Sequence, residues 1–181
     1  MGKVFWNFIR RLAGWKIAGF DLNSIPKALL IVGPHTSGWD VLVGLWTRGS
    51  KGIPIKFMGK HTLFKPPFGF IFRWLGGVPV DRTKHSNLVD SIAQYFNDNK
   101  EFKIAMAPEG TRQKVDKLKS GFYYMARKAN VPIVMTKFDY EHKTVTFSEP
   151  FMPSGDIEEV MSKVWNYFKG VKGKNPGLSI G

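Results

Sequence analysis

Residues 28–40 read ALLIVGPHTSGWD. The first six are an almost wholly apolar run, as expected of a strand buried on both faces of a sheet. PHTSG (34–38) is made of small and turn-prone residues, and WDVLVGLWTR (39–48) returns to apolar residues at helical spacing. The stretch therefore describes a strand, a corner and the start of a helix. Ser37 suits the N-cap of that helix, with Asp40 at its third position. His35 and Asp40 are the right types for a general base and its orienting carboxylate. Residues five apart do not share a face of a regular helix, but His35 precedes the helix. A first-turn side chain tilts back toward the N-terminus, so Asp40 can reach it. The same two residues also fit plain loop and capping roles, and the rest of the chain has to decide.

The pattern recurs outward from this corner. PIKFMG (54–59), VPVD (78–81), KIAMAP (103–108) and PIVMTKFD (132–139) read as further buried strands, and KTVTFSEP (143–150) as a more exposed one. Helical segments lie between and after them at 63–76, 87–99, 121–130 and 156–170. The last opens with Asp156 and Glu159 in capping-box spacing. Strands alternating with helices predict a single α/β domain over residues 21–181, with a mostly parallel, mixed central sheet flanked by helices. In such sheets ligands bind at the carboxyl ends of the strands.

Three more corners lie at such ends. APEGTR (107–112) offers a carboxylate, a glycine, a hydroxyl and an arginine, and Arg112 with exposed backbone amides would suit a phosphate. GGVPVDR (76–82) brings Arg82 to a strand end, and PIKFMGK brings Lys60. Three cations converging on the edge that holds His35 and Asp40 describe a site for an anionic substrate with a proton to remove. His61, His85 and His142 read as ordinary surface or loop histidines. No cluster of further ligands surrounds the His–Asp pair, so no metal site is expected.

The composition bounds the partners. The chain has 181 residues, no cysteine, and a net charge of +13, which draws it to anions: nucleic acid, an acidic membrane or a phosphorylated substrate. The absence of cysteine excludes disulfides, thiolate metal sites and a cysteine nucleophile. The N-terminal 20 residues, MGKVFWNFIRRLAGWKIAGF, lack the clean apolar core of a secretory signal. On a helical wheel over residues 3–15, Val4, Phe5, Trp6, Phe8, Ile9, Leu12, Ala13 and Trp15 share one face, and Lys3, Asn7, Arg10, Arg11 and Gly14 the other. That is the pattern of a helix lying in a membrane interface; the competing reading is a helix packed on the domain's own core. No apolar run is long enough to span a bilayer.

The corners, in order, match a known family. HTSGWD resembles the H-x-S-x-x-D motif of the glycerolipid acyltransferases, to which the bacterial lysophosphatidic acid acyltransferases (1-acylglycerol-3-phosphate O-acyltransferases) belong. APEGTR is similar to that family's PEGTR motif, GGVPVDR to its arginine motif, and NVPIVM (130–135) to its Val-Pro-Ile motif. The resemblance covers residues 28–140. It implies transfer of a fatty acyl group from acyl-CoA or acyl carrier protein to the hydroxyl of a lyso-lipid acceptor, with no cofactor. His35 would be the general base and Asp40 its partner, while Lys60, Arg82, Glu109, Gly110, Thr111 and Arg112 would bind the glycerol phosphate. The amphipathic N-terminal helix and the net charge of +13 point to an anionic membrane surface as partner, and a peripheral, cytoplasmic location is expected, on the inner membrane if the protein is bacterial. Another lyso-lipid, such as a lyso-ornithine lipid or lysophospholipid, fits the same chemistry. A basic nucleic-acid-binding protein is the reading from another class. It leaves the His–Asp and EGTR corners without a task, and nucleic acid is not expected as a partner.

Overall fold

A computed structural model of the chain describes residues 2–80 and 85–181, and the side chains of all of these except residues 85–87. In chain order the elements are α1 (Lys3–Leu12), β1 (Lys16–Gly19), β2 (Lys27–Gly33), α2 (Trp39–Lys51), β3 (Ile55–Lys60) and α3 (Gly69–Trp74). They continue with β4 (Gly77–Val80), α4 (His85–Asp98), β5 (Phe102–Met106), α5 (Gly121–Ala129), β6 (Ile133–Asp139), β7 (Thr144–Phe147) and α6 (Ile157–Phe168).

The seven strands form one sheet in the order β1-β7-β6-β2-β5-β3-β4. Every neighbouring pair is parallel except β6 and β7. The α/β class and the mostly parallel, mixed sheet expected from the sequence are those observed. Strand β2 sits at the centre, and its alternation divides the core. Leu29 and Ile31 pack with Phe96, Phe122, Val164 and Phe168 of α4, α5 and α6, whereas Ala28 and Leu30 pack with Val43 of α2, Phe138 and Phe147. Three helices thus close one face of the sheet. On the other face lies α2, and α1 rests on α2.

Three local readings change. The N-terminal helix ends at Leu12, not at residue 15. Gly14 takes a left-handed φ of 77°, its N–H donates to Arg11 O, and Trp15 N–H donates to Arg10 O, a Schellman closure. The turn sends Trp15 inward, where it is 6% exposed, and residues 16–19 form the edge strand β1 beside β7. Four residues are too few to show a strand period. The stretch 63–76 is not one helix: a short 3₁₀ turn over His61–Phe64 precedes α3, because Pro66 and Pro67 have no N–H to donate. Asp156 caps α6 as expected, accepting from Glu158 N–H and Glu159 N–H, while Glu159 itself accepts from the Ser154 hydroxyl.

Helix α1 presents its apolar face outward. Val4, Phe8 and Leu12 are 84, 63 and 76% exposed, and no residue of the helix is buried. Its inner side holds polar groups: Asn7 donates to Ser50 O at the end of α2, and Arg10 donates to Asn7 Oδ1 and to Trp15 O. The approach to α2 is close; a Cβ on Gly49 would lie 2.3 Å from Trp6 Cγ. Trp6 therefore belongs to the helix contact rather than the outward face. Around α3, Phe68, Phe70 and Trp74 are likewise exposed. Among the described residues, no helix is long and apolar enough to cross a membrane.

Candidate active site

The carboxyl ends of β2, β3 and β5 meet on one edge of the sheet, and the residues that follow them build the site. After β2 the chain turns through Pro34–Ser37 into α2, which begins at Trp39 with Gly38 as N-cap. Ser37 is therefore not the N-cap, and Asp40 stands at the second helical position rather than the third. Asp40 itself secures the corner: its Oδ2 accepts Ser37 N–H at 3.0 Å.

His35 Nδ1 lies 2.8 Å from the same Asp40 oxygen. Asp40 is 3% exposed and His35 is 23% exposed. A buried carboxylate beside Nδ1 selects the tautomer with its proton there, leaving the Nε2 lone pair free to take a proton from a substrate. His35 and Asp40 line a cavity of about 580 Å³.

Lys60, Gly110, Thr111 and Arg112 line that cavity too, so these four expected binding residues gather around the dyad. Lys60, Thr111 and Arg112 are exposed and free to meet a solvated anion. Arg82 lies outside the described residues. Glu109 is placed differently from its neighbours. It is 3% exposed, and its carboxylate accepts the backbone N–H of His35 at 2.8 and 3.1 Å. Burial raises its pKa to about 7, with the nearby Asp40 charge adding to the rise and the His35 N–H opposing it. The resemblance implies a substrate contact for Glu109; in this structure its carboxylate is committed to holding the His35 backbone in place.

The cavity runs beneath α2 along the whole of β3, from Lys60 to Ile55. Five strand steps at roughly 3.3 Å each make that about 16 Å. Its lining is mainly apolar, including Leu42, Leu45, Phe57, Met58 and Phe72, with Thr47, Lys56 and Thr136 among the polar exceptions. Near the Ile55 end stands Arg48, which donates to Ile55 O and whose pKa burial lowers. Among the described residues, no group of three or more His, Asp or Glu side chains could hold a metal ion. His61 and His142 are exposed, the latter paired with Asp139, and the side chain of His85 is not described.

A family model described as Acyltransferase matches residues 21–136. The chain belongs to the acyltransferase family. The acyltransferase matches, over 95% of its own length and 80% of the other chain, the crystal structure of the 1-acyl-sn-glycerophosphate (LPA) acyltransferase PlsC from Thermotoga maritima. The TM-score is 0.59 at 19% sequence identity, which establishes a shared fold. A comparison with curated proteins finds no match.

Two contacts of the acyltransferase site were missed in the sequence. Tyr140 donates its hydroxyl to Asp40 Oδ1 at 2.7 Å. Asn175 N–H donates to Thr36 Oγ1, and Asn175 Nδ2 to Thr36 O, so the C-terminal segment pins the corner. A signal for Tyr140 did exist: it directly follows β6, whose carboxyl end lies beside that of β2. Nothing local marks Asn175.

Proposed function

We propose that the protein transfers a fatty acyl group from an acyl thioester, of CoA or acyl carrier protein, to the hydroxyl of a lyso-glycerolipid such as lysophosphatidic acid. The observation that carries this reading is the 2.8 Å His35–Asp40 pair set beside Lys60 and Arg112 in a largely apolar cavity. His35 Nε2 takes the proton of the acceptor hydroxyl as its oxygen attacks the thioester carbonyl. The tetrahedral intermediate collapses, the C–S bond breaks, and the imidazolium returns the proton to the leaving thiolate. Asp40 holds the imidazole's tautomer and balances the transient charge. Lys60 and Arg112 suit the acceptor's phosphate, and the apolar walls suit an acyl chain. No cofactor enters this scheme beyond the thioester co-substrate.

The enzyme works as a peripheral protein on an anionic membrane. Supporting this are the outward apolar face of α1, the exposed aromatics around α3 and the net charge of +13.

The test is an assay of purified protein with a panel of lysophosphatidic acid, other lysophospholipids and lyso-ornithine lipid, each with both donor types, and mass detection of products. Acylation of lysophosphatidic acid, lost in His35→Ala, is expected. A folded His35→Ala protein acylating at the wild-type rate would refute the base. Product only from another lyso-lipid would change the acceptor and leave the mechanism standing.

A further inference from the structure

Both oxygens of Asp40 are in use. Oδ2 serves His35 and Ser37 N–H, and Oδ1 accepts the Tyr140 hydroxyl at 2.7 Å. Tyr140 arrives from 100 residues further along the chain. It is held from two sides. Its backbone N–H donates to Lys172 O at 2.9 Å, and its ring meets Trp15 edge-on, with centroids 4.9 Å apart and planes at 89°. Trp15 is buried, and its carbonyl accepts the Arg10 guanidinium of α1. The phenol thus stands on a fixed frame.

A carboxylate anchored through one oxygen can still turn, because the terminal torsion of aspartate is broad. Anchoring the second oxygen fixes its plane. We propose that Tyr140 is a positioning residue of the acyl-transfer reaction: its hydroxyl fixes the Asp40 carboxylate so that Oδ2 stays on His35 Nδ1. The inference rests on the reading of His35 as the base. Burial, reinforced by donation to Asp40, raises the phenol's pKa well above its ordinary range, so the hydroxyl remains a donor wherever the enzyme works. Tyr140 also forms part of the wall of a second cavity, of about 560 Å³, that Trp15, Trp39 and Trp46 line.

Tyr140→Phe removes the oxygen and keeps the ring against Trp15. With activity normalised to folded protein, kcat is expected to fall about tenfold while KM for donor and acceptor stays within about twofold, as for a loss felt in the transition state only. The downfield proton resonance of His35 Nδ1–H should shift and exchange faster with solvent. Replacing Tyr140 with 4-aminophenylalanine, which restores a donor at that point, should recover most of the lost kcat. In an Asp40→Asn background, Tyr140→Phe should cost less than about twofold, because its effect passes through the carboxylate. A Tyr140→Phe enzyme with wild-type kcat per folded molecule and an unmoved resonance would overturn the proposal, even if its stability had dropped. Full activity in His35→Ala would instead overturn the underlying base assignment, so the two failures are separable.

Discussion

Helices α1 and α6 are both amphipathic and close in length, at 10 and 12 residues, yet they meet the protein in opposite ways. Val160, Val164 and Phe168 of α6 are buried, one per turn, in the core beneath the sheet. Val4, Phe8 and Leu12 of α1 have the same four-residue spacing but point away from the protein, and the inner side carries Asn7 and Arg10. The difference lies in what each helix rests on. The apolar strand β6 supports α6, whereas α1 rests on α2, where Ser50 O accepts from Asn7. Periodicity says that a helix has two faces; the neighbour's polarity decides which one is covered. The contrast extends to the sheet itself. The side under α4, α5 and α6 is closed, and the side under α2 holds the cavity, the dyad and the outward apolar surface.

Substitutions on the two sides should therefore fail in different measurements. The largest effect belongs to the dyad. Asp40→Asn is expected to lower kcat by roughly 10²–10⁴-fold, the range of positioned general-base catalysis. His35→Ala should match it, and the double variant should be little worse, because both act on one proton transfer. Additive losses in steady-state kinetics would break the unit assumed here.

Next comes the outward face of α1. Replacing Val4, Phe8 and Leu12 together with serine should weaken binding to anionic vesicles at least about tenfold, since burying each such side chain is worth about 1.5–3 kcal/mol. Stability should change by less than about 0.5 kcal/mol, as at other surface positions. Sedimentation with vesicles and thermal unfolding measure the two. Unchanged sedimentation would sink the interfacial reading. Trp15→Ser should behave in the reverse manner, destabilising the fold because Trp15 is buried.

The matching change in α6 is smaller. Val164→Ala should cost about 2 kcal/mol of stability, from lost burial and the cavity left behind, with kcat per folded molecule unchanged. An equal loss from the serine substitutions in α1 would show that α1 is packed like α6 after all.

The effect read only against pH concerns Glu109. Its pKa in the folded state is raised from 4.5 to about 7, so its contribution to stability is full below 4.5 and is lost as pH rises through about 7. The thermal midpoint of the wild type should carry this decline between pH 5 and 8, and Glu109→Gln should remove it. An identical pH dependence in the two proteins would mean that Glu109 keeps an ordinary carboxyl pKa.

Much of the fold could be read locally. Apolar runs marked β2, β3, β5 and β6 to within one or two residues, because strands buried on both faces have little choice of side chain. The strand β1 escaped because four residues, KIAG, show no alternation, and its place depends on β7, more than a hundred residues away. The prolines that divide residues 63–76 were visible, but the apolar run around them hid the break. That His35, Asp40, Lys60 and Arg112 would gather at one cavity was legible because each ends or follows a strand, or opens a helix, on one sheet edge.

The sequence by itself therefore determined the fold class, the sheet edge where these residues gather and that Asp40 was within reach of His35. These rest on short-range rules: hydrophobic period, turn chemistry and a reach of five residues. Only the tertiary structure decided that Glu109 would hold the His35 backbone across 74 residues, that Tyr140 would close on Asp40 across 100, and that α1 would turn its apolar face away from the protein. Such contacts depend on which strands become neighbours and how helices stack upon them. That is set by packing the whole chain at once, so no local stretch records it.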